Sequence, residues 1–276
     1  MTDRPPVLVA PDAFGGELRA PVVAAAIARG LERAGVAPPP EPCPVAGGGS
    51  GTAEVLLPVL GGQTADGFAL IEDGGTAIVE RAGSARATGE RVAAAIDAGA
   101  EVVLVAAGGP AVAFDGGEGA VEAIEDGGGP RGAALVVLCE LRAAWSRPAG
   151  ELPRDPRGIP MTAAGGGLAG ALWSHYDARL LAGAPFVLEQ LDFDARMRAA
   201  RAVVVGEARL DRATLEGRVA GEIATRARQA GVPCHAVVGE NAIERFDARI
   251  LDLQGILVAS TLAQIEAAGA ALASYL

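Results

Sequence analysis

The sequence predicts an α/β protein built around a parallel sheet, and three observations carry that prediction. Apolar runs of strand length alternate with amphipathic segments of helix length along most of the chain. Glycine-bearing loops follow several of the apolar runs, at Gly15-Gly16, Gly108-Gly109 and Gly206. Half of the 276 residues are apolar but only 4% are aromatic, so the core is made mainly of Ala, Val, Leu and Ile.

The elements follow in order. Val7 to Ala10 is a first strand, and Leu18 to Ala34 has the two-faced pattern of a helix. Val36 to Pro42 is a proline-rich connector, and Gly47 to Thr52 is a glycine loop before a helix from about Ala53 to Leu60. Phe68–Ile71 and Thr76–Glu80 flank Asp73-Gly74-Gly75, a hairpin signal that predicts a second domain or a mixed sheet. A helix over Thr88–Ala98, a strand over Val102–Ala106, a helix over Glu118–Glu125 and a strand over Ala133–Cys139 come next. Arg147 to Pro160 is rich in Pro, Arg and Asp and predicts a loop or domain connector. The Gly/Ala-rich stretch at Ala163 opens a helix expected to reach Leu181, and short helices are expected over Phe186–Leu191 and Asp192–Ala200. Strands at Arg201–Gly206, His235–Val238 and Ile256–Ala259 alternate with helices at Leu215–Ala230 and Leu262–Ala273. That alternation implies right-handed crossovers.

Composition removes several function classes. A net charge of −11 argues against nucleic-acid binding, which needs a basic face to replace counterions. No uncharged apolar run is long enough to span a membrane. Met1 to Pro6 is short and polar, and the three scattered cysteines lack metal-ligand spacing, so a cytoplasmic setting is expected. All 23 basic residues are arginine. This excludes a Schiff-base lysine and the lysine of a P-loop, because a guanidinium neither gives up its proton nor copies a mobile ammonium.

Open parallel sheets bind ligands beyond the C-terminal ends of their strands. By that rule Asp12, Asp115, Glu207 and Asp211 stand out, each placed after a strand and the first three beside a glycine loop. Backbone N–H groups in such loops can approach an anion, and the carboxylates can hold Mg²⁺ or accept a hydroxyl proton. Asp12 and Asp211 are read equally well as helix caps, and Asp115-Gly116-Gly117 as a turn. His235 reads as a core or edge residue and His175 as a packed or surface helix residue.

Taken together, the motifs resemble those of the bacterial glycerate kinase family. Ala10-Pro-Asp12-Ala-Phe14-Gly15-Gly16 is similar to that family's A-P-D-S-F-K-G-S, and Pro44-Val-Ala-Gly47-Gly-Gly-Ser50-Gly-Thr52 to P-V-A-D-G-G-E-G-T. Gly108-Gly109-Pro110 through Asp115-Gly-Gly117 resembles G-G-S-A-T-N-D-G-G, and Ala163 to Leu172 resembles A-A-G-G-L-G. The most specific match is Gly206-Glu207-Ala-Arg209-Leu-Asp211-Arg-Ala-Thr214-Leu-Glu-Gly217-Arg218, against G-E-G-R-L-D-x-Q-T-L-x-G-K.

The resemblance implies two lobes. Residues 1–60 and 190–276 would form a discontinuous Rossmann- or flavodoxin-like lobe, and 61–189 a smaller mixed α/β lobe, with the site in the cleft. It implies ATP and Mg²⁺, with a glycerate-like acid as substrate and a homodimer as one assembly. Asp12, Asp115 and Asp211 would be catalytic. Gly48, Gly49, Ser50, Gly108, Gly109, Arg209 and Arg218 would bind substrate or phosphate, and Glu207 and Asp211 would hold metal.

The departures fall on polar residues. The family's Ser and Lys are Ala13 and Gly15, its loop Asp and Glu are Gly47 and Ser50, and its Ser and Asn before Asp115 are Pro110 and Phe114. Its C-D-x-D-N-P region is Cys139-Glu140-Leu141-Arg142-Ala143-Ala144. The chain is also roughly a hundred residues shorter than expected for this two-domain family. These losses weigh against turnover. The alternative is a catalytically inactive relative that binds a nucleotide or small acid, or regulates a partner.

Overall fold

A computed structural model describes residues 4–15, 17–108 and 114–276. In chain order the elements begin with β1 (Val7–Pro11), α1 (Ala20–Arg33), β2 (Glu41–Pro42), α2 (Thr52–Leu60), β3 (Gly62–Thr64), β4 (Ala69–Ile71), β5 (Thr76–Glu80) and α3 (Ala85–Asp97). Then come β6 (Val102–Gly108), α4 (Glu118–Asp126), β7 (Ala134–Cys139), α5 (Leu168–Tyr176), β8 (Arg179–Ala182), α6 (Gly183–Gln190) and α7 (Phe193–Ala199). The chain closes with β9 (Ala202–Leu210), α8 (Val219–Ala230), β10 (Cys234–Asn241), α9 (Arg245–Leu251), β11 (Leu253–Val258) and α10 (Leu262–Leu272).

These elements form two compact units, Met1–Ala46 with Leu188–Leu276, and Gly47–Val187. The first unit carries a five-stranded sheet in the order β11-β10-β9-β1-β2, with every pairing parallel. Renumbered within the unit, this is the flavodoxin-like order 5-4-3-1-2, whose winding reverses between β1 and β9. Val7–Pro11 of β1, Ala202–Gly206 of β9 and Ala236–Val238 of β10 are apolar and buried, as expected of strands covered on both faces, and the polar residues of β9 and β10 come after these runs apart from His235. On one face α1 crosses α10 with their backbones close together. A Cβ at Gly30 would lie 2.0 Å from the Glu266 carbonyl oxygen, and one at Gly269 would lie 2.4 Å from that of Ile27. Val7, Val9, Ile27, Leu31, Val204, Val237, Ile265 and Leu272 fill the space beneath.

The second unit carries a six-stranded mixed sheet, β3-β4-β5-β6-β7-β8. Its first two pairings are antiparallel and the other three parallel. Asp73 makes the hairpin by accepting the Gly75 and Thr76 N–H groups and the Thr76 hydroxyl. The unit begins at Gly47, so the glycine loop and α2 belong to it, and α2 packs on β4 and β5. Ser84 caps α3 by accepting the Ala87 N–H.

Two expected helices end differently. The one expected to reach Leu181 stops at Tyr176, because Asp177 turns left-handed at φ 57° and 179–182 pairs with β7 as β8. Pairing to a sheet edge overrides a helical pattern of only five further residues. The one expected from Leu215 begins at Val219. Residues 212–216 form a 3₁₀ turn, and Gly217 at φ 127° separates the two. The end of the proline-rich connector is an edge strand, where Pro42 costs little. Among the described residues no helix is long and apolar enough to cross a membrane.

Candidate functional site

In the first unit the polar residues gather at the C-terminal ends of β1, β9 and β10. Asp12 follows β1, and its N–H donates to the Gly206 carbonyl on β9 at 2.9 Å, which holds the two strand ends together beyond their last paired residues. One Asp12 carboxylate oxygen accepts the Ala13 N–H at 2.6 Å, and the side chain is half-buried. Glu207 is the next residue along β9 and is only 6% exposed.

Glu207 is buried without being isolated. One carboxylate oxygen accepts the Thr214 hydroxyl at 2.9 Å, and the other faces Arg218 Nη1 at 3.2 Å. The same guanidinium nitrogen donates to the Arg209 carbonyl at 3.0 Å and approaches Asp211 at 3.5 Å. Asp211 caps the 3₁₀ turn by accepting the Ala213 N–H, and its second oxygen pairs with Arg209 Nε at 3.1 Å. Arg209 reaches on to Glu240 at 2.5 Å. The local sequence explains this closeness. A strand, a capped one-turn helix and Gly217 fold Glu207, Asp211, Thr214 and Arg218 back on one another within twelve residues. Asp211 is therefore both a cap and a member of the polar cluster.

In the second unit the predicted phosphate loop lies against the ends of β6, β7 and β8, and its glycines are used for close packing. A Cβ on Gly48 would lie 2.8 Å from Gly183 Cα, one on Gly49 3.0 Å from Gly108 Cα, and one on Gly183 2.2 Å from the Gly47 carbonyl oxygen. The Gly108 N–H donates to the Gly48 carbonyl. Ser50 is exposed, and Gly109 lies outside the described residues. At the start of α2, Thr52 closes on the Gly49 carbonyl, and the Ala53 N–H donates to a Glu80 carboxylate oxygen at 2.9 Å. A protein carboxylate thus takes the place at this helix N-terminus where a phosphate was expected.

Sequence reasoning missed Glu80, because it reaches α2 from the end of β5. It also treated Glu140 only as part of an altered motif. Glu140 follows β7, and a Cβ on Gly47 would meet its Cγ at 3.0 Å. A carboxylate therefore stands over the glycine loop, supplied from a different strand. Besides its place in that motif, the sequence signal of Glu140 is that it follows an apolar strand, the same rule that selected Asp12.

Asp115 is exposed and accepts the Gly117 N–H at 3.0 Å, which is the turn reading. It also lines an open cavity of about 1010 Å³ together with Phe114, Glu118, Trp145, Arg147 and His175. The Phe114 and Trp145 rings meet edge to face at 4.6 Å, and the Arg147 guanidinium lies 4.7 Å from the Phe114 centroid. Arg147 opens the segment read as a loop or connector and Trp145 lies two residues before it, so the sequence pointed away from this cavity.

The remaining candidate groups are inert. Burial pushes the Cys43 thiol up to about 11, and Cys139 and Cys234 up to about 12, so none is a nucleophile near neutrality. His235 is a core residue, as expected, and His175 is exposed on α5. Among the described residues no group of three or more His, Cys, Asp or Glu is placed to hold a metal.

Comparison with known proteins gives these sites a setting. The glycerate kinase family matches residues 7–82 and 137–273. A glycerate kinase of Bacillus subtilis (strain 168) is 27% identical over 326 aligned residues, covering 84% of both chains. A glycerate 2-kinase of Escherichia coli (strain K12) is 24% identical over 323, again covering 84% of both. Both alignments run longer than the 276 residues of this chain, so these relatives carry segments it lacks. A crystal structure assigned to glycerate kinase 2 from Salmonella typhimurium LT2 superposes with a TM-score of 0.69 at 20% identity, over 99% of this chain and 98% of that one, a likeness of fold.

Proposed function

The chain belongs to the glycerate kinase family, and we propose that it transfers a phosphoryl group from ATP to glycerate or a similar small hydroxy acid. The observation that carries this reading is the place of the polar residues in the first unit. Asp12 and Glu207 stand at the point between β1 and β9 where the winding of the parallel sheet reverses, the position where such sheets bind ligands.

The reaction asks little covalent work of the protein, since positioning and charge stabilisation dominate phosphoryl transfer. In this reading Asp12 orients the substrate hydroxyl and takes its proton as the oxygen attacks the γ-phosphorus, and ADP leaves. Arg209 is half exposed, and its partners Asp211 and Glu240 are solvent-accessible, so it is free to exchange them for a substrate carboxylate or phosphate. Glu207, held by Thr214 and Arg218, keeps the loop after β9 in shape.

Mg²⁺ accompanies ATP in phosphoryl transfer and neutralises its charge. The pair expected to hold it does not fit it as it stands, because the oxygens of Glu207 and Asp211 are already engaged by protein donors. Mg²⁺ enters this reading only as part of the nucleotide substrate.

The test is ADP release by purified protein with Mg²⁺-ATP and D-glycerate. Turnover should appear, and Asp12→Asn should lower kcat by about a hundredfold or more. A well-folded protein that releases no ADP with any of a panel of small hydroxy acids overturns the reading. It would favour the second one, a catalytically silent relative. That alternative is supported by Ala13, Gly15, Gly47 and Ser50 standing where the family pattern has Ser, Lys, Asp and Glu.

A further inference from the structure

We propose that Arg218 is the resident cation of the Glu207–Asp211 pair, so that this pair binds no divalent metal while the guanidinium is in place. The proposal deepens the reading above, and rests on it only in taking this cluster as the polar site of the first unit.

The count of donors and acceptors carries the inference. Glu207 gives one oxygen to Thr214 and the other to Arg218. Asp211 gives one oxygen to the Ala213 N–H, with Arg218 at 3.5 Å, and the other to Arg209. All four carboxylate oxygens therefore face protein donors. A further carboxylate, Glu240, pairs with Arg209. Mg²⁺ demands six oxygens in near-octahedral order, and the cluster offers two carboxylates that already enclose a charge.

The enclosed charge cannot be turned off. A guanidinium stays protonated throughout the physiological range and donates in a fixed planar fork. Arg218 is also anchored by the Arg209 carbonyl at 3.0 Å, and its side chain is only 22% exposed. A metal entering here must expel a charge that is hydrogen-bonded on several sides and largely withdrawn from water. Conversely, removal of Arg218 leaves a buried carboxylate beside a second one with no cation between them, and a divalent ion then becomes the replacement.

The experiment reads metal binding on the full chain, without nucleotide or acid, so the outcome is separate from turnover. Mn²⁺ is titrated into the wild type, Arg218→Gln and the double variant Glu207→Gln/Arg218→Gln. Binding is followed by the loss of the free-ion EPR signal, and melting temperature is measured at about 1 mM Mn²⁺. The wild type and the double variant should match each other. Arg218→Gln should bind one extra equivalent, at least about tenfold more tightly, and melt higher with Mn²⁺ than without it. One equivalent bound by the wild type and lost in Glu207→Gln would overturn the proposal. So would a folded Arg218→Gln that gains none. Should Arg218→Gln fail to fold, Arg218→Lys keeps the question open to measurement. The ammonium holds the charge but not the fork, so it should bind Mn²⁺ no better than the wild type, and one gained equivalent would contradict the proposal.

Discussion

The two units keep their chemistry in different parts of the chain. In the first, the residues that matter are side chains, and they satisfy one another: Glu207, Arg209, Asp211, Thr214, Arg218 and Glu240 form one connected set. In the second, the corresponding region is mostly backbone. Its glycine loop is held by van der Waals closeness to Gly108 and Gly183 and by carbonyl-to-amide bonds. A side-chain cluster tolerates rearrangement, because rotamers adjust when one partner is exchanged. A backbone loop packed on strand ends does not, because nothing in it can rotate away.

The sharpest way to break this contrast is a single methyl group in the loop's packing. Gly183→Ala places a Cβ 2.2 Å from the Gly47 carbonyl oxygen and 2.6 Å from Gly48 Cα, both backbone atoms. It should destabilise the protein by about 3 kcal/mol, read as a lowered midpoint in urea. A loss below about 0.5 kcal/mol, the range of an indifferent surface change, would mean that the loop can shift.

A smaller effect is expected from Glu80→Ala. It removes the acceptor of the Ala53 N–H and the negative charge at the start of α2. The expected cost is about 1 kcal/mol, that of losing a helix cap. It should also open α2 to anions, so phosphate should raise the melting temperature of the variant more than that of the wild type. Equal responses would show that Glu80 is not what closes this terminus.

The gentlest probe lies in the first unit. His235 is 2% exposed, and its Nδ1 has no hydrogen-bond partner. Burial holds its folded pKa below 6.5. The unfolded chain therefore takes up the proton first as the pH falls. The stability that a neutral His235 contributes is complete above about pH 6.5 and is lost progressively from there down through the folded pKa. His235→Leu should flatten the fall of stability with acid in that window, measured by denaturant titrations at several pH values. An unchanged slope would assign the acid sensitivity to other groups.

How much was legible in the sequence follows from how local each feature is. The Glu207–Arg218 stretch was readable as a motif because strand, cap and glycine lie within one short segment, but not the pairing of Arg218 with the two carboxylates. The central strands β1, β6 and β7 and the first half of β9, to Gly206, were readable because strand segments covered on both faces are apolar. Strands β2, β3 and β8 were not. Each has two to four residues, lies at or near a sheet edge, and is a strand only because a neighbour offers hydrogen bonds. Glu80 and Glu140 were missed for the same reason, since neither has a local pattern tying it to the glycine loop.

The sequence by itself determined an α/β chain with alternating strands and helices, the acidic residues after its strands, a chemistry without lysine, and the glycerate kinase family. Those properties depend on residue type and on spacing along one segment. Only the tertiary structure decided that the glycines of the 47–51 loop serve close packing, that Glu80 occupies the helix start expected to take a phosphate, and that Arg218 stands between the carboxylates expected to take a metal. Each of these is a question of which charge or backbone group fills a given space. In a folded chain the nearest complementary group fills it, and that group can come from any strand the sheet brings alongside.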